Sequence, residues 1–180
     1  MTMAVPWQTG NIVGPKNALL LNPEHCARLL KAAKRPLIVV GAHATKPSVG
    51  LPNLTEYVVH LARGMNAQIA ASPTIQSQLS SPGGAQVFSL GIEDLTNRLR
   101  DKQWKGFDGK GGYDYVLMIG GVYYFESQML ATLKHFAPHV RTVSLDRFYQ
   151  PNATFSFSNM DLGKWKEGLD AMIEELGGKD

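Results

Sequence analysis

One stretch restricts the fold more than any other. Tyr115-Val116-Leu117-Met118-Ile119 is a continuous apolar run, and Gly120-Gly121 follows it. Such a run is the mark of a strand covered on both faces. Met129, Leu130, Leu133, Phe136 and Ala137 then fall at helical spacing, and Pro138 stops the helix. Val140 to Leu145 is the next strand and ends at Asp146. Two strands joined by a crossover helix run parallel. A parallel sheet needs helices on both faces, so this unit predicts a three-layer α/β domain.

The rest of the chain repeats the alternation. Asn22-Pro23-Glu24 combines an N-cap, a first-turn proline and an early acid. Cys26, Leu29, Leu30 and Ala33 give the helix its apolar face, and Pro36 ends it. Leu37-Ile38-Val39-Val40 is a second fully covered strand, ending in Gly41. Leu54, Tyr57, Val58, Leu61 and Met65 mark a helix, and Gln68 to Ser72 a strand. Pro73 to Gly84 reads as a loop or a short frayed helix. Val87 to Leu90 is a short strand, with a helix on Ile92, Leu95 and Leu99. Trp104 to Gly112 reads as a surface turn region, and Gln150 to Asn159 has no clear period. Leu162, Trp165, Leu169, Met172, Ile173 and Leu176 define a last helix. The organisation expected is an extended N-terminal arm over 1–21 and a single domain over 22–180.

Composition narrows the class. A chain of 180 residues suits one buried core. With 44% apolar and 18% charged residues its surface is fairly apolar, which points to a partner. No apolar run nears the roughly 20 residues of a membrane span, so no membrane insertion is expected. Met1 to Gly14 has neither the basic nor the apolar region of a secretory signal. The single cysteine, Cys26, excludes an internal disulfide and an all-cysteine metal site, and suits a reducing cytoplasm. The net charge of +3 is spread out, with Lys31, Lys34 and Arg35 the densest group, at a helix end. No basic stripe interleaved with aromatics argues for nucleic acid.

In a parallel sheet, ligands bind at the carboxyl ends of the strands. Those ends are Gly41, Ser72, Gly120-Gly121 and Asp146. Glycines there let a backbone approach a phosphate, and the next helix N-terminus attracts it. Gly41, His43, Gly120 and Gly121 are therefore the candidate cofactor contacts, and a tight strand-to-loop turn is the other reading. No complete G-x-G-x-x-G or G-x-x-x-x-G-K-[ST] stands in the chain. Asp146 is placed to take ribose hydroxyls, or to form a salt bridge or cap with its neighbours. His25, His60 and His135 lie on separate predicted helices, and Pro138 parts His135 from His139, so no metal site is expected. No nucleophile elbow is present, and no catalytic set is expected. Tyr123, Tyr124, Phe125, Phe148, Tyr149, Phe155 and Phe157 crowd two segments at one end of the sheet; core packing explains some, and a binding surface is the other reading.

At these segments the chain resembles known proteins. Ala33 to Gly41 resembles the opening of DHS-like NAD/FAD-binding domains, a Rossmann-like class. Tyr113-Asp114-Tyr115-Val116-Leu117-Met118-Ile119-Gly120, Tyr123-Tyr124, Gln128-Met129-Leu130 and Leu133-Lys134-His135-Phe136 are more specific. So is Ser144 through Phe157. Together they resemble the epsilon-subunit family of the archaeal carbon monoxide dehydrogenase/acetyl-CoA decarbonylase–synthase complex, from about residue 22 onward. The resemblance implies a non-catalytic accessory subunit paired with a large nickel–iron–sulfur alpha subunit, two of each per assembly. It places the clusters on alpha, in line with a single cysteine here. It also implies a flavin (FAD) and a part in electron transfer, at Gly41, His43, Gly120 and Gly121. A flavin- or nicotinamide-binding electron-transfer module is the alternative function. A free NAD-dependent deacylase of this fold would carry a zinc module of paired cysteines, which this chain lacks.

Overall fold

The computed structural model describes residues 17–46, 50–79 and 86–177. Among the described residues seven strands form one sheet: β1 (Leu19–Leu20), β2 (Pro36–Val40), β3 (Gln68–Ala71), β4 (Val87–Ser89), β5 (Tyr115–Ile119), β6 (Arg141–Ser144) and β7 (Phe155–Ser156). Their order is β1-β7-β6-β5-β2-β3-β4, and every pairing is parallel. The helices are α1 (Pro23–Lys31), α2 (Leu54–Met65), α3 (Gln76–Leu79), α4 (Ile92–Arg100), α5 (Tyr123–Phe136) and α6 (Leu162–Leu176). The fold is the expected three-layer, Rossmann-like α/β arrangement.

The layers follow from the two-residue period of the strands. In β2, Ile38 and Val40 face a core shared with α1, α2 and α6, while Leu37 and Val39 face one shared with α4 and α5. All five residues of β2 and of β5 are buried, which is why both runs are apolar throughout. The local signals act as the sequence implies. Asn22 caps α1, its side-chain oxygen accepting from the His25 amide at 2.8 Å. Such a cap is worth about 1 kcal/mol. Asn66 and Gly177 close α2 and α6 in the left-handed conformation.

Leu19 and Leu20, the last residues but one of the predicted arm, form an edge strand on β7, and the arm before Asn17 lies outside the described residues. Three readings need correction. The stretch read as periodless, Gln150 to Asn159, contains β7, whose partner β6 sits Val143 against Phe155. Phe136 is not on the buried face of α5: it is 63% exposed, and the Arg100 guanidinium lies 5.2 Å over its ring. The turn region before β5, expected on the surface, is half buried, since Trp104 and Phe107 pack against Tyr113 and Phe88. Of Pro73–Gly84, the described part holds α3.

Strand β2 comes first among the central strands. The chain adds β3 and β4 on one side of it, then crosses over to add β5, β6 and β7 on the other. The order therefore reverses between β2 and β5, which is where crevices open in doubly wound sheets.

Candidate functional site

At that reversal the structure brings the candidate cofactor residues together. Gly41 and His43 follow β2, the latter in a single 3-10 turn over Ala42–Thr45. Gly120 and Gly121 follow β5, and Asp146 follows β6. His43, Gly120, Gly121 and Asp146, with Tyr123, Arg147, Phe148, Trp165, Gly50 and Leu54, line one small cleft of about 60 Å³ walled mainly by apolar groups, and Gly41 packs against the Gly120–Gly121 backbone.

The glycines serve each other. A Cβ on Gly41 would stand 2.4 Å from the Gly120 carbonyl oxygen and 2.4 Å from the Gly121 Cα. Gly120 has φ +70°, and a Cβ on it would meet Ala44 at 2.8 Å. The two loops are thus in backbone contact, tied by the His43 amide donating to the Gly120 carbonyl at 2.9 Å. Only residues without a Cβ permit that approach.

The loop's anion-binding capacity is used internally. The Gly120 amide donates to Asp146 Oδ1 at 2.8 Å, and the Gly121 amide also supports that carboxylate. Behind them lies an acid that the sequence reading missed. Glu126, in the first turn of α5, is 1% exposed, and Ser144 Oγ donates to its Oε1 at 3.2 Å. Its Oε2 sits against Gly121 and receives no conventional donor; the group facing it is the Asp146 carboxyl. Burial pushes the Glu126 carboxyl well above its usual range, and the neighbouring Asp146 adds to the rise. Burial also raises Asp146, against the lowering effect of the Gly120 amide, Glu126, the Gly121 amide and His43. Two close carboxyls cannot both ionise cheaply, so the pair holds a proton between them.

A signal for Glu126 existed. It stands four residues before Leu130 and seven before Leu133, on the stripe that packs inward. An acid in a first turn otherwise reads as a partner of the helix dipole. A raised carboxyl in a cleft commonly marks acid–base chemistry. Here the proton lies on the inner side of Gly121, and Glu126 does not reach the cleft lining.

A dinucleotide's diphosphate needs free loop amides, and glycine faces open to it. The amide of Gly120 is taken by Asp146, the faces of Gly41 and Gly120 are filled by the opposite loop, and two carboxyls stand where a phosphate would bring like charge. These residues, so arranged, do not fit the diphosphate of a flavin or nicotinamide dinucleotide. Asp146, engaged with Gly120 and Glu126, is equally committed away from a ribose hydroxyl.

The aromatic segments divide. Tyr149 and Phe157 are buried and belong to the core-packing group. Tyr149 Oη donates to the Ala18 carbonyl at 2.9 Å, and Tyr123 Oη to the Tyr149 carbonyl at 2.9 Å. Phe125 and Phe155 are half buried. Tyr123, Tyr124 and Phe148 remain on the surface, 48%, 69% and 46% exposed. Trp165 closes the cleft from α6, its indole N–H donating to the Leu145 carbonyl at 2.8 Å. Arg147 lays its guanidinium 4.2 Å over Phe148. Among the described residues no group of three or more His, Cys, Asp or Glu is placed to hold a metal ion, and no helix is long and apolar enough to cross a membrane. Cys26 is fully buried, and burial lifts its thiol to about 12, so it is an unreactive packing residue.

Fold and site together define a doubly wound α/β domain whose switch-point crevice is closed by its own loops and acids, with an aromatic rim outside. Over residues 1–175 the chain matches the family described as CO dehydrogenase beta subunit/acetyl-CoA synthase epsilon subunit, and it belongs to that family. It is 39% identical over 171 residues to the acetyl-CoA decarbonylase/synthase complex subunit epsilon of Methanothermobacter thermautotrophicus, covering 95% of each chain. It is 35% identical to the subunit epsilon of Methanothrix soehngenii, over 87% of this chain and 81% of that one. Against subunit epsilon 1 of Archaeoglobus fulgidus the identity is 36%, over 89% of this chain and 84% of the relative.

Proposed function

We propose that the chain is an accessory subunit of an acetyl-CoA decarbonylase/synthase complex, docking through its aromatic rim onto the nickel–iron–sulfur carbon monoxide dehydrogenase (alpha) subunit. The stoichiometry in this reading is two of each, the compartment is the cytoplasm, and the chain has no active site of its own. The observation that carries it is the exposure of Tyr123 and Phe148 at one cleft, with Tyr124 exposed next to Tyr123 in the chain, in a family whose members are named as complex subunits. Exposed aromatics grouped in this way are the usual anchors of interfaces. Arg147 adds a cation to that rim, its guanidinium stacked 4.2 Å over the Phe148 ring.

Co-purification tests it. A tagged chain expressed in its native host is expected to bring down a nickel–iron–sulfur subunit, and failure to do so sinks the proposal. Replacing both Tyr124 and Phe148 by Ala should weaken the association at least tenfold, about 1.4 kcal/mol, with stability shifted by no more than about 0.5 kcal/mol. The closed loops favour docking over the flavin-carrying, electron-transfer alternative. Titration of FAD into the isolated chain, followed by absorbance, should show no saturable change at tens of micromolar or so. A saturable change would restore the flavin reading.

A further inference from the structure

We propose that a second cleft, at the amino ends of β2, β3 and β5, is a binding site for a small molecule carrying two or more phosphates. It lies at the opposite end of the sheet from the aromatic rim and does not depend on any partner. The cleft holds about 550 Å³, and its lining is mostly polar. Lys34 and Arg35 enter it from the segment before β2, Arg63 from the end of α2, and Lys110 from the glycine-rich turn before β5. Among the described residues, neither Lys34, Arg63 nor Lys110 has a carboxylate within ion-pair distance.

Two acids stand nearby, and both are committed. Asp108 holds Arg35 at 2.6 Å and accepts from the Lys110 amide at 3.0 Å. Asp114 accepts from the Lys34 and Arg35 amides at 2.7 and 2.8 Å. Four cations against two acids leave the mouth positive.

The floor is built rather than incidental. Tyr113 is 4% exposed; its hydroxyl donates to Gln68, which in turn donates to Gln86 at 3.1 Å. The Phe107 amide donates to the same hydroxyl at 3.1 Å. Arg35 is held above this floor by Asp108 and by the Tyr113 ring, 5.5 Å from its guanidinium, and its Nε–H has no acceptor.

Cations also gather at this end because the carboxyl ends of α1 and α2 point there. That accounts for the sign of the charge. It does not account for a concave polar floor or a guanidinium locked in one pose. Cations arriving from three segments suit a multiply charged anion better than a single carboxylate. The concavity suits a small molecule, because a flat acidic protein face would meet the rim and leave the floor empty.

Calorimetric titration of the full chain at low salt tests this, with inorganic pyrophosphate and ADP as separate probes. Saturable binding at about 0.1–1 mM is expected, with amide shifts at Lys34, Arg35 and Lys110 in nitrogen-15 spectra. A Lys34→Ala/Arg63→Ala double variant should weaken it by roughly tenfold, as should salt near 0.5 M. Lys46→Ala, at the other end of the sheet, should leave it unchanged. ADP binding more tightly than pyrophosphate identifies a nucleotide-like ligand; equal affinities identify the phosphates as the recognised group. No saturable heat from either probe at about 5 mM, or an affinity equally strong in the double variant, overturns the proposal.

Discussion

At the carboxyl ends of the central strands, a buried acid and its half-buried neighbour hold a proton more tightly than usual; at the amino ends of the same sheet, an acid lies under an arginine and loses its proton more readily than usual. Glu126 and Asp146 are raised chiefly by burial. Asp108 is lowered chiefly by its hydrogen bond from Arg35, then by that from the Lys110 amide. Helix N-termini converge on the first end and normally draw in an anion from outside. This chain meets that demand with its own Asp146, and the crevice closes. Helix carboxyl ends converge on the second, where cations are favoured. There the chain supplies more cations than its acids neutralise, and the cleft stays open. In this domain the end conventionally used for ligands is self-satisfied, and the end conventionally used for stability carries unmet charge.

The harshest test of the closed end is Gly41→Ala. The new Cβ would lie 2.4 Å from backbone atoms of the facing loop, which cannot swing aside as a side chain would. A loss of about 3 kcal/mol is expected in urea unfolding, at the upper end of overpacking costs. A loss below about 1 kcal/mol would mean that the loops separate easily, and that the crevice is open in solution.

Much of this end was legible in sequence, because strands buried on both faces leave an unbroken apolar run. Leu37–Val40 and Tyr115–Ile119 gave themselves away so, and their ends pointed to Gly41, His43, Gly120, Gly121 and Asp146. What those glycines face was not legible, since a glycine that admits a phosphate and one that admits another loop look alike. Glu126 escaped because its partner, Asp146, lies twenty residues further along the chain, across a crossover. β1 and β7 escaped because two residues each cannot show a period. The burial of Tyr149 and Phe157 follows from β7, and so was hidden with it. At the open end, Lys34 and Arg35 were read as a helix terminus; Arg63 and Lys110 join them only through the fold.

Acidity separates the two ends next. An acid raised on folding keeps its proton in the native state at pH values where the unfolded chain has lost it. Stability contributed by the Glu126–Asp146 pair is therefore whole below the ordinary glutamate value of 4.5 and drains away as pH rises above it. The slope approaches ~1.4 kcal/mol per pH unit for one proton. Glu126→Gln imitates the protonated form and keeps a donor toward Asp146. It should flatten that slope and leave the variant more stable than the wild type at pH 8, by on the order of 1 kcal/mol. Parallel slopes in the two proteins would show that no proton is held there.

Asp108→Asn probes the opposite end and has the smallest effect on stability. An acid lowered on folding gives up its proton sooner in the native state, so its contribution is whole above the ordinary aspartate value of 3.8 and is lost as pH falls through the native value. The wild type should lose more stability than the variant in that acid range, the reverse of the trend at Glu126. Asp108 is near the surface, so the difference should shrink with added salt. The same substitution removes one of the two acids beside the cleft while Lys34, Arg63 and Lys110 stay in place. Pyrophosphate should then bind more tightly by a few-fold, roughly the effect of deleting one exposed like charge. If affinity falls instead, Arg35 needs Asp108 to hold its pose, and the pose matters more than the net charge of the mouth.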